Sequence, residues 1–452
     1  MVARLRSAVA DDRARRSRRR EAIALAGAGA RGRAAAARRL PRAVRPCEEV
    51  RCTAPVRVDL AGGWSDTPPI CNAVGGRVVN VAIRLDGKAP VVVVATRLAT
   101  PCIVLRSVDA DDAIVVRDGA ELRDHADPRQ WTALPKAALC LMGFAPMDRR
   151  VDLRRHLERF GGGVEITMRS AVPRGSGLGT SSILGATLVA ALARLRGERL
   201  AERIAGERRG ASASASCADL LARASALEQM IATRGGWQDQ VGGVVPGFKL
   251  AWTDPAEPSP GMMCTDAVGG VEAGASRPRK AAAQVPTVRR LEPPSACVEA
   301  LCARTVVLYT GRRRMARDIL ESVVARWLAR EDDVVATVAR LKAGAARLAG
   351  ALDRGDAESV IREFALYWLL KRTIDPASTT PQIDAIFDAQ RADLAAWGLA
   401  GAGGGGFALL IAKDARAAQR VRRRLRRDPP HPAARVFDLE IDEVGLRTSV
   451  GP

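Results

Sequence analysis

The stretch from residue 164 to residue 195 constrains this chain most. A strand-like run, VEITMRS, leads into PRGSGLGTSS, and then into TSSILGATLVAALARLR, where the apolar spacing is that of a mostly buried helix. Gly175, Gly177 and Gly179 carry no Cβ, so backbone N–H groups in this turn can approach a diphosphate closely, and the following helix points the positive end of its dipole at the same place. The same residues also suit a ligand-free strand-to-helix turn capped by Thr180 or Ser181. The motif alone supports both readings. A lysine-bearing phosphate loop is excluded, because no lysine follows the last glycine.

Around this unit the sequence divides into regions. Residues 1–45 hold fourteen arginines and three acids, mixed with alanine and glycine and almost free of large apolar side chains, so a disordered basic tail is expected. Residues 46–252 open with short branched runs (VRVDLAG, RVVNVAIRL, PVVVVATR, CIVLRSV) that read as strands, and include a helix over 217–234 and paired strands in VGGVVPGFKLAW. Residues 253–296 are rich in proline and alanine and read as an insertion or linker. Residues 297–452 show the strand TVVLYT, helices near 315–350, 356–371 and 380–397, the strand FALLIA, a helix, and a final strand RVFDLEI. Strands and helices mixed in this order predict an α+β second domain.

Composition narrows the chemistry. Of the net charge of +21, the tail carries +11, so the remaining 407 residues have an ordinary surface and nucleic acid is not expected as a partner. Seven arginines between Arg416 and Arg427 have no interleaved aromatics to stack bases and read as a solvated helix face. Three histidines (His125, His156, His431) and nine irregularly spaced cysteines leave little for a histidine triad or a zinc site. No apolar run is long enough to span a membrane. A cytoplasmic protein is the expectation, with an organelle address in the Arg-rich start as the alternative.

Three further segments bear chemistry. In LEQMIATRGGWQDQVGG, Glu228 projects from a helix and Asp239 follows eleven residues later, past two glycines, in a position read as a loop. In APVRVDLAGGWSDTPP, a strand enters a glycine turn and presents Trp64, Ser65 and Asp66, a plausible wall for a polyol. In GAGGGGFALLIA, four consecutive glycines (Gly403 to Gly406) are entropically hard to justify unless backbone passes close to a ligand or a neighbouring loop.

The order of these segments resembles the GHMP small-molecule kinase superfamily, over about residues 54–447, and the wording RVDLAGGWSDTPP, GSGLGTSSILGA, GGWQDQVGG, LYTGRRRMARDIL and LAGAGGGGF is similar to the L-fucokinase family. The resemblance implies two domains, an N-terminal one like ribosomal protein S5 domain 2 and a C-terminal ferredoxin-like one. It implies that Pro173, Gly175, Ser176, Gly177, Leu178, Gly179, Thr180 and Ser181 hold the phosphates of ATP, that Ser181 and Glu228 bind Mg²⁺, and that Asp239 is the base or orienting group. It places Arg57 beside the transferring phosphate, and Asp66, Trp64, Ser65, Gly236, Gln240 and Gly403 to Gly405 around the sugar.

The implied activity is phosphorylation of the anomeric hydroxyl of L-fucose. The small-molecule sugar and ATP are the expected partners, and a separate GDP-fucose pyrophosphorylase would use the product. The rivals are a heptose 7-phosphate kinase, in which GRRRMAR (311–317) would bind the existing phosphate, and a non-catalytic relative that binds sugar or acts through its basic tail. Two departures from the superfamily are Thr180, where serine is common, and the length of the 253–296 segment.

Overall fold

The computed structural model describes residues 49–146, 148, 150–173, 175–200, 215–231, 235–255, 285–312 and 316–451. The basic tail, Cys47, Arg174, residues 256–284 and residues 313–315 of the GRRRMAR stretch lie outside the described residues. Strands β1 (Glu49–Ala54), β2 (Val56–Ala61), β3 (Gly76–Leu85), β4 (Val91–Leu98), β5 (Ile103–Ser107), β6 (Asp112–Val116) and β7 (Gly163–Ser170) precede the glycine turn. β4 alternates as a half-buried strand requires, every second residue of VVVVATRL being buried, whereas β2 is buried throughout.

Helix α1 (Thr180–Leu195) leaves that turn, followed by α2 (Ala215–Met230), α3 (Gln238–Val244) and strands β8 (Phe248–Thr253) and β9 (Thr287–Leu291). Thirteen of the sixteen residues of α1 are buried, which explains a sequence apolar on nearly every face. Residues 241–252, expected as a hairpin or paired strands, instead hold the end of α3 and then β8. The helix tolerates two interior glycines because the Arg57 side chain fills the space where a Cβ of Gly242 would stand, and Ile183 does the same at Gly243. The described part of the expected linker contains β9, which pairs with β8 and so extends the N-terminal sheet.

In the second half, β10 (Thr305–Tyr309) is followed by a helical crossover that includes α4 (Asp332–Arg354) and α5 (Ala357–Ile374). Strands β11 (Leu394–Leu399) and β12 (Phe407–Ala412), helix α6 (Ala415–Arg427) and strand β13 (Arg435–Phe437) then complete the half. The expected helix over 380–397 stops at Gln390, and its tail becomes β11. The sheet order β11-β12-β10-β13, all antiparallel, is that of a ferredoxin-like βαββαβ unit. The α+β, two-half architecture is therefore present.

RVFDLEI is not one strand. After Asp438 the chain crosses back: β14 (Leu439–Ile441) pairs with β3, and β15 (Arg447–Val450) pairs with β1. The N-terminal half thus consists of a six-stranded sheet, β15-β1-β4-β7-β5-β6, and a five-stranded one in which β14, β3, β8 and β9 run side by side and β2 joins β3. One hydrophobic core joins Val58, Val79 and Ile183 to Leu341, Phe364 and Tyr367, so α4 and α5 seat the second half on β2 and β3.

Candidate functional site

Strand β2 delivers the centre of the site. Arg57 and Asp59, two positions apart on one strand face, are both 2% exposed. The Arg57 guanidinium donates from Nε (2.9 Å) and Nη2 (2.6 Å) to Oδ1 of Asp239, and from Nη1 to Oδ1 of Asp59 (2.9 Å) and to the carbonyl of Gly177 (2.8 Å). Its backbone N–H donates to the carbonyl of Leu178. Four of its five side-chain N–H donors are thereby used. Arg57, expected beside a transferring phosphate, is enclosed and grips Asp239 and the glycine turn.

Asp59 accepts from the second half as well. Its Oδ1 takes the Gly401 N–H (2.8 Å), and its Oδ2 takes the Tyr367 hydroxyl (2.5 Å) and Lys371 Nζ (3.4 Å). Lys371 also donates to the carbonyls of Leu399 and Gly401. Burial alone would raise the Asp59 pKa, but Lys371 and Arg57 hold it down at about 2. Burial lowers the Lys371 pKa against the opposing pull of Asp59, and burial followed by the Asp59 charge pushes the Tyr367 phenol well above its ordinary range. Arg57 is held more firmly protonated by Asp239 and Asp59, against the effect of its burial. None of Asp59, Tyr367 and Lys371 was expected from the sequence. The available signal for Asp59 was its i, i+2 relation to Arg57 on a strand, and for the other two an i, i+4 pair in ALYWLLK.

The glycine turn adopts the left-handed backbone at Gly175, Gly177 and Gly179 (φ 72°, 85° and 73°). Gly179 stands at the N-cap of α1 with no side chain capping the helix, so the capped-turn reading, with Thr180 or Ser181 as cap, does not hold. Ser181 is exposed; Leu178, Ser176 and Thr180 are buried, and among the described residues the hydroxyls of Ser176 and Thr180 have no hydrogen-bond partner. Pro173 ends the preceding segment and is half-buried. A Cβ at Gly179 would stand 3.1 Å from Asp239 Cβ and Cγ and 3.3 Å from Arg57 Nε. Asp239 lies in the first turn of α3 rather than in a loop, with its side chain 26% exposed. Glu228 is buried near the end of α2, which packs against α1.

The C-terminal glycine run packs against this turn, which resolves what its backbone had to approach. Phe407 N–H donates to the Ser176 carbonyl (2.9 Å), and a Cβ at Gly406 would fall 2.2 Å from that oxygen. Gly403, Gly404 and Gly405 instead meet Ser378 and Arg312: Gly404 N–H donates to the Ser378 carbonyl. Gly406 and Phe407 reach the glycine turn itself, while Gly403 to Gly405, expected to support the phosphate-transfer region from the second half and to contact substrate, lie against the neighbouring backbone.

The segment after β2 behaves unevenly. Ser65 is fully buried, and its hydroxyl bonds the Gly62 carbonyl (2.6 Å) and the Arg77 backbone, so it secures the turn and is not free to bind a polyol. Gln240 is likewise buried, with its amide facing the carbonyls of Trp237 and Gly236. Gly236 is needed for space, since a Cβ there would meet Asp66 Oδ2 at 1.9 Å. Asp66 is fully buried; Oδ2 accepts the Gln238 N–H (3.1 Å) while Oδ1 has no partner among the described residues. Burial, reinforced by the charge of Asp239, raises the Asp66 pKa to about 7. Trp64 Nε1, Trp237 Nε1, Asn80 Oδ1 and Gln238 Oε1 are also without partners among the described residues. Such a concentration of unsatisfied buried polar atoms calls for water or a ligand.

Comparison with known proteins agrees with the fold. Residues 151–245 match the GHMP kinases N terminal domain, and residues 348–431 match the GHMP kinases C terminal domain. The L-fucokinase/L-fucose-1-P guanylyltransferase of Bacteroides fragilis is 34% identical over 87% of this chain and 38% of its own length. The bifunctional fucokinase/GDP-fucose pyrophosphorylase of Arabidopsis thaliana is 31% identical over 82% of this chain and 30% of its own. The chain thus spans about a third of the length of these curated relatives. A D-glycero-D-manno-heptose 1-phosphate kinase from Bacteriodes thetaiotaomicron shares the fold, with a TM-score of 0.57, 18% identity, and coverage of 88% of this chain and 98% of that one.

Proposed function

The chain belongs to the GHMP kinase family, and from that premise we propose that it is an ATP- and Mg²⁺-dependent sugar kinase that phosphorylates the anomeric hydroxyl of L-fucose, giving β-L-fucose 1-phosphate. The observation that carries the reading is the close approach of Gly179 to the Asp239 and Arg57 side chains, which sets the glycine turn beside a carboxylate. The uncapped start of α1 and the hydroxyls of Ser176 and Thr180, without partners among the described residues, fit the phosphates of ATP. Ser181 and Glu228 would hold Mg²⁺, which supplies charge neutralisation to the phosphate oxygens. The nucleobase end is directed to the small cleft lined by Trp131, Leu134, Leu184 and Ile231 together with Asp109, Gln130 and Ser170, which Thr180 and Ser181 also line.

Phosphoryl transfer requires positioning and charge compensation more than covalent chemistry. Asp239 meets the first need. With Oδ1 held by two Arg57 donors, Oδ2 accepts the hydrogen bond of the anomeric hydroxyl and takes its proton as the new O–P bond forms and the bond from the γ-phosphorus to the bridging oxygen of ATP breaks, ADP leaving with that electron pair. Arg57 keeps the carboxylate aimed while holding the Gly177 carbonyl. The unsatisfied atoms of Asp66, Asn80, Trp64 and Gln238 receive the remaining sugar hydroxyls, and their number suits a polyol. The names of the two curated relatives favour L-fucose, and a pyrophosphorylase activity would then consume the product. Among the described residues no helix is long and apolar enough to cross a membrane, and a cytoplasmic location is part of the reading.

The test is a sugar panel with purified protein, ATP and Mg²⁺, with the phosphorylated carbon located by NMR. L-Fucose phosphorylated at C1 is expected; turnover of a heptose 7-phosphate alone would overturn the assignment. Asp239→Asn is expected to lower kcat by about 10²–10⁴-fold while ATP binding is retained.

A further inference from the structure

Asp59 hydrogen-bonds two side chains and one backbone N–H of the C-terminal half on one side and Arg57, which grips the reacting carboxylate, on the other. Its Oδ1 holds Arg57 Nη1 at 2.9 Å and the Gly401 N–H at 2.8 Å. Its Oδ2 holds the Tyr367 hydroxyl at 2.5 Å and Lys371 Nζ at 3.4 Å, and these side chains stand one turn apart on α5. Arg57 in turn fixes Asp239 Oδ1 with two donors and the Gly177 carbonyl with a third. We propose that Asp59 is a positioning residue of the transfer site, through which Tyr367 and Lys371 of the C-terminal half set the direction in which Arg57 presents Asp239. The inference rests on the proposed kinase reading for its rate effects.

Three features support it over simple core stabilisation. The Arg57 fork is planar, so the direction of Nη1 determines that of Nε and Nη2, and moving Asp59 rotates the grip on Asp239. Lys371 donates its other bonds to the carbonyls of Leu399 and Gly401, at the start of the glycine run that packs on Ser176, so the same anchor holds both the carboxylate and the cradle wall. The charges also match: Arg57 and Lys371 against Asp59 and Asp239, all within one hydrogen-bonded cluster. Asp59→Asn keeps the shape and removes the charge that orients both cations.

The experiment compares wild type, Asp59→Asn, Tyr367→Phe, Asp239→Asn and the 59/239 double variant, with sugar turnover measured alongside thermal melting and hydrogen exchange of the ligand-free chain. Asp59→Asn is expected to lower kcat by about 10²-fold, the scale of a 1 Å misplacement, with KM for sugar and ATP within about threefold. Little further loss is expected in the Asp239→Asn background, because the two act as one unit. Exchange should rise locally at 175–180 and 238–244. Tyr367→Phe, which removes one hydroxyl and leaves the ring packed, should lower kcat about fivefold, in keeping with one hydrogen bond, and keeps the test open if Asp59→Asn does not fold. Wild-type kcat in a folded Asp59→Asn protein, or losses at 59 and 239 that simply multiply, would overturn the proposal. If wild type phosphorylates no sugar, the kinase reading fails, and exchange alone decides this one: a local rise upholds it and an unchanged pattern overturns it.

Discussion

Asp59 and Asp66 lie seven residues apart on either side of one glycine turn, and both are buried from solvent. The fold treats them oppositely. Asp59 receives four donors, two of them cationic, and is held at about 2 against the effect of its burial, by Lys371 and then Arg57. Asp66 receives one backbone N–H on Oδ2 and nothing on Oδ1 among the described residues, and burial followed by the charge of Asp239 lifts it to about 7. A buried charge that is fully satisfied belongs to the framework, whereas one left short of partners marks where something else must enter. The same contrast separates the two glycine runs: 403–406 is spent on protein contacts with Ser378, Arg312 and Ser176, while 175–179 leaves a helix start uncapped.

The sharpest way to break this comparison is to remove each charge. Asp59→Leu takes the carboxylate partner from buried Lys371 and leaves Arg57 with Asp239 alone, and is expected to cost about 3–5 kcal/mol of stability, visible as a large fall in the denaturant midpoint. Asp66→Asn at pH 8 removes a carboxylate whose ionisation the site penalises, so its midpoint should match or exceed that of wild type while KM for the sugar rises. Equal destabilisation by both changes would show that Asp66 is framework too.

The pH dependence of stability comes next in size. In the folded chain Asp66 keeps its proton up to about pH 7, whereas in the unfolded chain it loses it near the ordinary carboxylate value of about 4. Between these limits the folded state binds more protons, so Asp66 supports stability fully below about pH 4 and that support is lost as pH rises towards about 7, with a slope of at most about 1.4 kcal/mol per pH unit. Asp59, with its lowered pKa, acts in the other direction: its contribution is present above the ordinary value and is lost as pH falls towards about 2. Wild type and Asp66→Asn melted from pH 4 to 8 should diverge across the upper window, and parallel curves would remove Asp66 from the account.

Much of this arrangement was legible in the residues. The strand, glycine turn and buried helix of 164–195 stand as read, because period and glycine placement are local signals. Arg57, Asp66 and Asp239 were singled out by motif order, and the fold brings Arg57 and Asp239 into contact. The misreadings share a cause, which is that tertiary context outweighed local pattern. QDQVGGV has two glycines and little helical character of its own, yet it forms α3 because Arg57 and Ile183 occupy the space its side chains would need. RVFDLEI reads as one strand, and only the partners on either side of Asp438 divide it between two sheets. Tyr367 and Lys371 sit in an apolar helix segment where a lone lysine looks like a solvated edge. Its charge is explained only by Asp59, more than three hundred residues earlier in the chain.

The smallest effect concerns Thr180, and it tests whether an orphaned group marks an entrance on the cradle as it does on the sugar side. Its hydroxyl is buried at the first turn of α1, has no partner among the described residues, and lies beside the exposed Ser181. Valine has nearly the same shape and lacks the unsatisfied oxygen, so Thr180→Val should be neutral or slightly stabilising in the ligand-free chain, within about 1 kcal/mol. With ATP and Mg²⁺ present the order should reverse. If Oγ1 bonds a phosphate oxygen, the variant forfeits that bond, and the added melting temperature that ATP confers on wild type should shrink, with KM for ATP rising about three- to tenfold. A threonine serving only to fill space would show the first result without the second, leaving the phosphate contacts to backbone N–H groups and Ser181.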